Sequence, residues 1–241
     1  LNSTNLSIEQ KDFLEIGQAS ADVMTSIIDG ALDLSKIETG NMEIFHDLFN
    51  LEEELIRVYR VQKEFVDEKG LDFIFDYDYG INYDLIGDYH KLRQIILNIL
   101  SNAIKYTDHG YVKLTTKHIE VDQKAMIEIS ISDTGIGIDA EKLKLLKETF
   151  SQTIHAGLDK FQKIGLGLSV SHELIRLMGG KLDIESKLNE GSTFKIVLPF
   201  EHASSIKYPL PKQYSALIIS DELPYNSIKL LDSMGIKGYS L

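Results

Sequence analysis

Apolar residues recur at alternating steps of three and four at Phe13, Ile16, Val23, Ile27, Leu34 and Ile37, with Ser20 and Gly30 filling the two missing seam positions. That rhythm predicts a helix with one apolar seam, as in a coiled coil or a helical bundle. Gly30 costs such a helix about 1 kcal/mol against alanine. The break at Gly40 favours a separate helical segment over a helix lying on its own globular core.

Downstream the pattern changes period repeatedly. Leu51 to Lys69 is again helical and stops at Gly70, and Leu71 to Tyr77 reads as a strand. Asp88 can cap a helix running to about Tyr106, before Asp108, His109 and Gly110 turn the chain. Tyr111 to Ile119 and Ala125 to Ser132 read as strands joined by a hairpin at residues 121–124. From Asp139 to Ile164 the pattern supports one short helix and then a polar stretch without a period, Thr153 to Ile164, which is a candidate lid. Helix Leu168 to Met178 and strands Lys181 to Lys187 and Ser192 to Phe200 follow. The fold class is therefore α/β, a two-layer sandwich of a mixed sheet covered by helices, preceded by a long helix. Residues 1–45 hold that helix, 46–202 the sandwich and 203–213 a linker with Pro209 and Pro211, while 214–241 begin another unit.

At 241 residues and 43% hydrophobic, the chain can bury a full core. Its formal charge of -12 argues against nucleic acid, whose binding rests on lysine and arginine displacing counterions. The absence of cysteine excludes disulfides, thiolate metal sites and cysteine catalysis, and fits a reducing, cytoplasmic setting. Apolar runs such as Ile95 to Leu100 are too short to span a bilayer. The chain opens on Leu1, so it reads as a piece of a longer protein whose remainder could be membrane-anchored.

Three segments carry the chemistry: LNILSNAIKYT (Leu97 to Thr107), SDTGIGI (Ser132 to Ile138) and GLGLSVSHELIRLMGG (Gly165 to Gly180). Asn98 and Asn102 lie four apart, on one helix face, where side-chain carbonyls can reach a hard cation. Lys105 can meet phosphate as a point charge. Asp133 is an acceptor-only carboxylate, suited to the exocyclic amino group of adenine and opposed to the guanine carbonyl. Gly135 and Gly137 let the backbone turn and approach a base closely. Gly165 and Gly167 open a helix whose first amides can take phosphate oxygens. Together these read as the walls of a nucleotide pocket.

In this order the segments resemble the boxes of the ATP-binding catalytic domain of sensor histidine kinases, with LRQIILNILSNAIKYT, SDTGIGI, KETFSQ, GLGLSVS and EGSTFKIVLP all in register across residues 51–200. Upstream, ALDLSKIETGNME resembles the end of that family's second dimerisation helix. The resemblance implies ATP and Mg²⁺ as cofactors, with Asn102 the principal metal ligand, Asn98 a second contact and both, with Lys105, in the catalytic set. It implies that Tyr106 packs on adenine, that Thr193 lies near the base, and that Ile138, Lys163, Leu166 and Leu168 complete the nucleotide-binding group. The implied reaction is transfer of the ATP γ-phosphoryl group to a histidine on a dimerisation helix in a homodimeric parent. The tail from Tyr214 resembles the opening of a response-regulator receiver, with Asp221 and Glu222 as its acidic pair, which makes a receiver or response regulator the expected partner.

Two departures temper this picture. Where many family members have Gly-Gly-Thr before the second glycine box, this chain has Gln162, Lys163 and Ile164. None of the seven histidines lies on the seam helix, so the acceptor is expected outside this chain. His172, in the tempting Ser171-His172-Glu173 run, reads as a structural residue of its helix. The rival readings are a catalytically weak ATP-binding signalling module and an ATPase of the gyrase, chaperone and mismatch-repair group.

Overall fold

The computed structural model describes residues 30–37, 39–79, 84–121, 124–151 and 166–202, together with Gln10, Ile28 and Ile81. Most of the seam helix, the candidate lid, the linker and the receiver-like tail lie outside the described residues. The chain forms β1 (Asp47–Asn50), α1 (Leu51–Lys69), β2 (Asp72–Asp76), β3 (Asp84–Gly87), α2 (Tyr89–Lys105), β4 (Tyr111–Val121) and β5 (Lys124–Asp133). Then come α3 (Ala140–Ser151), α4 (Leu166–Leu177), β6 (Lys181–Lys187), β7 (Gly191–Leu198) and β8 (Glu201–His202). Five strands make a mixed sheet in the order β2-β4-β5-β7-β6, where β2 runs parallel to β4 and the other neighbours are antiparallel. The remaining three form a small antiparallel sheet, β1-β3-β8.

Helices cover one face of the larger sheet. Along β7, Ser192, Phe194, Ile196 and Leu198 are buried while Thr193, Lys195 and Val197 are partly open, the period of two that one covered face produces. Against that face α2 turns the stripe Leu92, Ile95, Ile96, Ile99, Leu100, Ala103 and Ile104 inward. Both long helices start on side-chain caps: Asn50 accepts the Glu53 N–H and Asp88 accepts the Lys91 N–H. The second oxygen of Asp88, a buried residue, takes the Phe45 N–H at 3.0 Å, which ties the chain before β1 to the start of α2. Arg93 of α2 pairs with the buried Glu54 of α1.

The seam helix behaves differently from expectation where it is described. Leu34 and Ile37 are buried in the domain core, and Asp33 holds α2 through Gln94 (2.6 Å) and Lys91 (3.6 Å). At these positions the apolar stripe serves the sandwich rather than a separate segment. Among the described residues no helix is long and apolar enough to cross a membrane.

Candidate functional site

The site is assembled from the end of α2, the turn after β5 and the β6–β7 turn. Asp133 closes β5 opposite Ser192 of β7 and is buried. Its Oδ1 accepts the Gly135 N–H at 2.9 Å. Burial pushes its carboxyl above the ordinary aspartate range, and the N–H groups of Gly135 and Ser192 pull only partly back. Among the described residues no cation pairs with it. A buried acceptor of this kind, held by backbone alone, is suited to a neutral N–H donor from outside.

Backbone contacts fix the turn that follows. Ile136 donates to Tyr106 O (3.1 Å), Asn189 donates to Ile136 O (2.7 Å), and the Ile138 N–H meets Ser186 Oγ (2.8 Å). These explain the glycines in a way the sequence did not suggest. A Cβ on Gly135 would lie 2.3 Å from Tyr106 O, and one on Gly137, where φ is +63°, would lie 2.0 Å from Lys187 O. The close approach that requires glycine is thus to the protein's own carbonyls. Ile138 packs partly buried against the core.

On α2, Asn98, Asn102 and Lys105 follow one another along the helix, with Tyr106 just beyond its end. The Lys105 Nζ lies 5.2 Å from the centre of the Tyr106 ring, and that ring is 48% exposed, open for an aromatic partner. Asn102 is half-buried. Asn98 turns its amide nitrogen to α4, donating to Gly167 O (3.3 Å) and Ser171 Oγ (3.2 Å), so it links the first and third segments directly. Leu166 opens α4 and Leu168 is buried beneath it. Lys163 and Gly165 lie outside the described residues.

Thr193 does not join this group. It pairs across the sheet with Ser132 and donates to that hydroxyl at 3.0 Å, on the face opposite Asp133 and Ser192. The sequence reading missed Ser192, one residue earlier, which shares the Asp133 face and supplies its N–H to the carboxylate. The alternation of buried positions along Ser192 to Leu198 was the available signal.

The Ser171-His172-Glu173 run is structural, as its helical setting suggested. Ser171 is buried against Asn98, and the His172 ring stacks on Phe150 with centroids 4.3 Å apart. Burial pushes Glu173 up, but neighbouring His172 and Arg176 (2.9 Å) outweigh it and hold its carboxyl below the usual range. A cavity of about 320 Å³ between α3, α4 and β6 contains none of the predicted site residues, and its Lys147 and Arg176 are engaged by Asp183 and Glu173.

The chain belongs, through residues 87–202, to the histidine kinase-, DNA gyrase B- and HSP90-like ATPase family, whose model matches that span. Among relatives it is 37% identical over 201 residues to hybrid signal transduction histidine kinase B of Dictyostelium discoideum, an alignment covering 83% of this chain and 10% of that protein. The fold is shared with full-length ShkA, solved in complex with AMPPNP, at a TM-score of 0.65 and 24% identity, over 85% of this chain and 42% of that one. The catalytic domain of histidine kinase ThkA aligns at a TM-score of 0.50 and 27% identity, over 66% of this chain and 96% of that domain. The chain therefore spans a small part of the hybrid kinase it matches and contains the fold of a kinase catalytic domain.

Proposed function

We propose that this chain is the nucleotide-binding kinase core of a hybrid sensor histidine kinase, passing the γ-phosphoryl group of ATP to a histidine outside residues 1–241. The observation that carries this reading is Asp133, a buried carboxylate held by backbone N–H groups at the end of a glycine turn beside an exposed aromatic. Asp133 receives the adenine amino group, with Ser192 beside it, and Tyr106 covers the base. Lys105 and the first amides of α4, including those at Gly167 and Leu168, meet the phosphates. Complexation of AMPPNP by a protein of this fold supports ATP as the nucleotide.

Magnesium fits the same group. Among the described residues no cluster of three or more histidine, cysteine or acidic side chains could hold a metal, so phosphate and water oxygens would dominate its shell, as suits Mg²⁺. Asn102 offers an amide oxygen to it, and Asn98, with its nitrogen turned to α4, offers a second. When bound, the ion neutralises charge on the phosphates; this chain's residues position the nucleotide and leave the γ-phosphoryl group open to the acceptor. The organisation read from the sequence belongs to the same proposal: a dimerisation remnant at 1–45, the core at 46–202 and a receiver beginning at 214, in a cytoplasmic part of a homodimeric parent.

Incubation with γ-labelled ATP and Mg²⁺ tests this reading. The chain alone should take up no acid-labile, base-stable label, and a separately supplied histidine-bearing dimerisation domain should acquire it. ATP binding without any transfer would favour the weak signalling module. Equal affinity for ATP and GTP would remove the role given to Asp133.

A further inference from the structure

The last turn of α2 carries Lys105 and leads into Tyr106, and its end is held by a residue from another helix. An α-helix leaves its final four carbonyls without partners inside the helix. Here every one is taken. Asn102 O accepts the Tyr106 N–H (3.0 Å), Ala103 O accepts the Thr107 hydroxyl (2.7 Å), and Ile104 O and Lys105 O accept the Lys69 ammonium (2.8 and 3.0 Å). The third ammonium proton reaches Thr107 O at 3.1 Å. One tetrahedral group with three donors thus meets three converging carbonyls, at the helix end where a cation is also favoured by the dipole.

What this clamp fixes lies inside the candidate site. Tyr106, flanked by the clamped carbonyls of Lys105 and Thr107, offers its own carbonyl to Ile136 of the glycine turn, the turn that begins at Asp133. The path from Lys69 to the turn that bears the carboxylate therefore runs through one residue. We propose that Lys69 is a positioning residue for nucleotide binding, setting the end of α2 against the Asp133 turn without touching the ligand. This rests on the nucleotide reading above. A guanidinium keeps the charge, but its planar fork cannot converge on three carbonyls as an ammonium does, so arginine should restore the function only in part.

Calorimetric titration of Lys69→Met, Lys69→Arg and Lys63→Met with ATP and with GTP, at fixed Mg²⁺, tests the proposal alongside melting without nucleotide. Lys63 pairs only locally with Asp67 on the same helix and serves as the control. Lys69→Met should bind ATP about tenfold more weakly and lose part of its preference for ATP over GTP, as expected when coupling between two sites is broken. Lys69→Arg should fall between it and the wild type, and Lys63→Met should match the wild type. A folded Lys69→Met with unchanged ATP affinity and unchanged ATP-to-GTP ratio overturns the proposal, whatever its melting temperature. Should that variant fail to fold, Lys69→Arg decides on the same two quantities. A wild-type chain that binds no ATP overturns the nucleotide reading itself, and is distinguished by appearing before any substitution.

Discussion

The two glycine turns look alike in sequence and are opposites in structure. In the first, side chains are excluded by the protein itself, since Cβ atoms on Gly135 and Gly137 would fall 2.3 and 2.0 Å from carbonyl oxygens. In the second, a Cβ on Gly167 would meet Asn98 at 3.5 Å, an ordinary contact. Packing among the described residues therefore demands glycine in the first turn and not at Gly167. If glycine is needed at Gly167, the need comes from something that binds there. One turn is a rigid wall built by folding, and the other is open space that phosphate oxygens can fill.

Substitution separates the two cases. Gly137→Ala combines a left-handed φ with a backbone clash and should lower unfolding stability by about 3 kcal/mol, read by urea denaturation without nucleotide. If it unfolds no more readily than wild type, the wall is softer than its geometry implies.

Asp133→Asn probes the wall's one functional group. ATP affinity should fall by roughly 1.5–3 kcal/mol in calorimetry, the range for hydrogen bonds to charged groups. Stability without ligand should stay level or rise at pH 7, because a carboxyl whose pKa is raised by burial favours the folded state only when protonated. Its contribution is present at low pH and is lost as pH rises from the unfolded aspartate range through the raised folded value. The stability gap between variant and wild type should consequently close as pH falls toward about 4. A gap that widens on acidification would contradict the assigned direction.

Gly167→Ala should give the smallest change. Alanine favours helix over glycine by about 1 kcal/mol, so unliganded stability should hold or improve slightly. Binding of ATP with Mg²⁺ should weaken by about 1 kcal/mol as the methyl group intrudes on a phosphate–amide hydrogen bond. A loss of stability matching that of Gly137→Ala would erase the contrast between the turns.

Much of this was legible in advance where local chemistry and period agreed. Helix α1 and strand β6 match their sequence boundaries to the residue, and Asp88 caps α2 as its position implied. The strands β1, β3 and β8, of four, four and two residues, were not foreseen, because segments so short have no period and exist only through their pairing. The seam at Leu34 and Ile37 shows the limit of periodicity, which marks an apolar face without naming what covers it. Thr193 shows another, since a motif gives the neighbourhood of a side chain while strand parity decides its face. The Lys69 clamp had no sequence signal, because its acceptors are backbone carbonyls that carry no side-chain signature.

The small sheet has a mechanical consequence. β1 and β8 flank β3 and both run antiparallel to it, so the sandwich begins and ends on two strands pointing the same way, about 10 Å apart by ordinary strand spacing. Tension applied through the two ends would load the Asp47–Gly87 and Leu85–His202 pairings in shear and bypass the five-stranded sheet. The nucleotide-binding layer hangs beside that line of force, so the chain before Asp47 and after His202 can be tugged or twisted while Asp133 and the end of α2 keep their spacing.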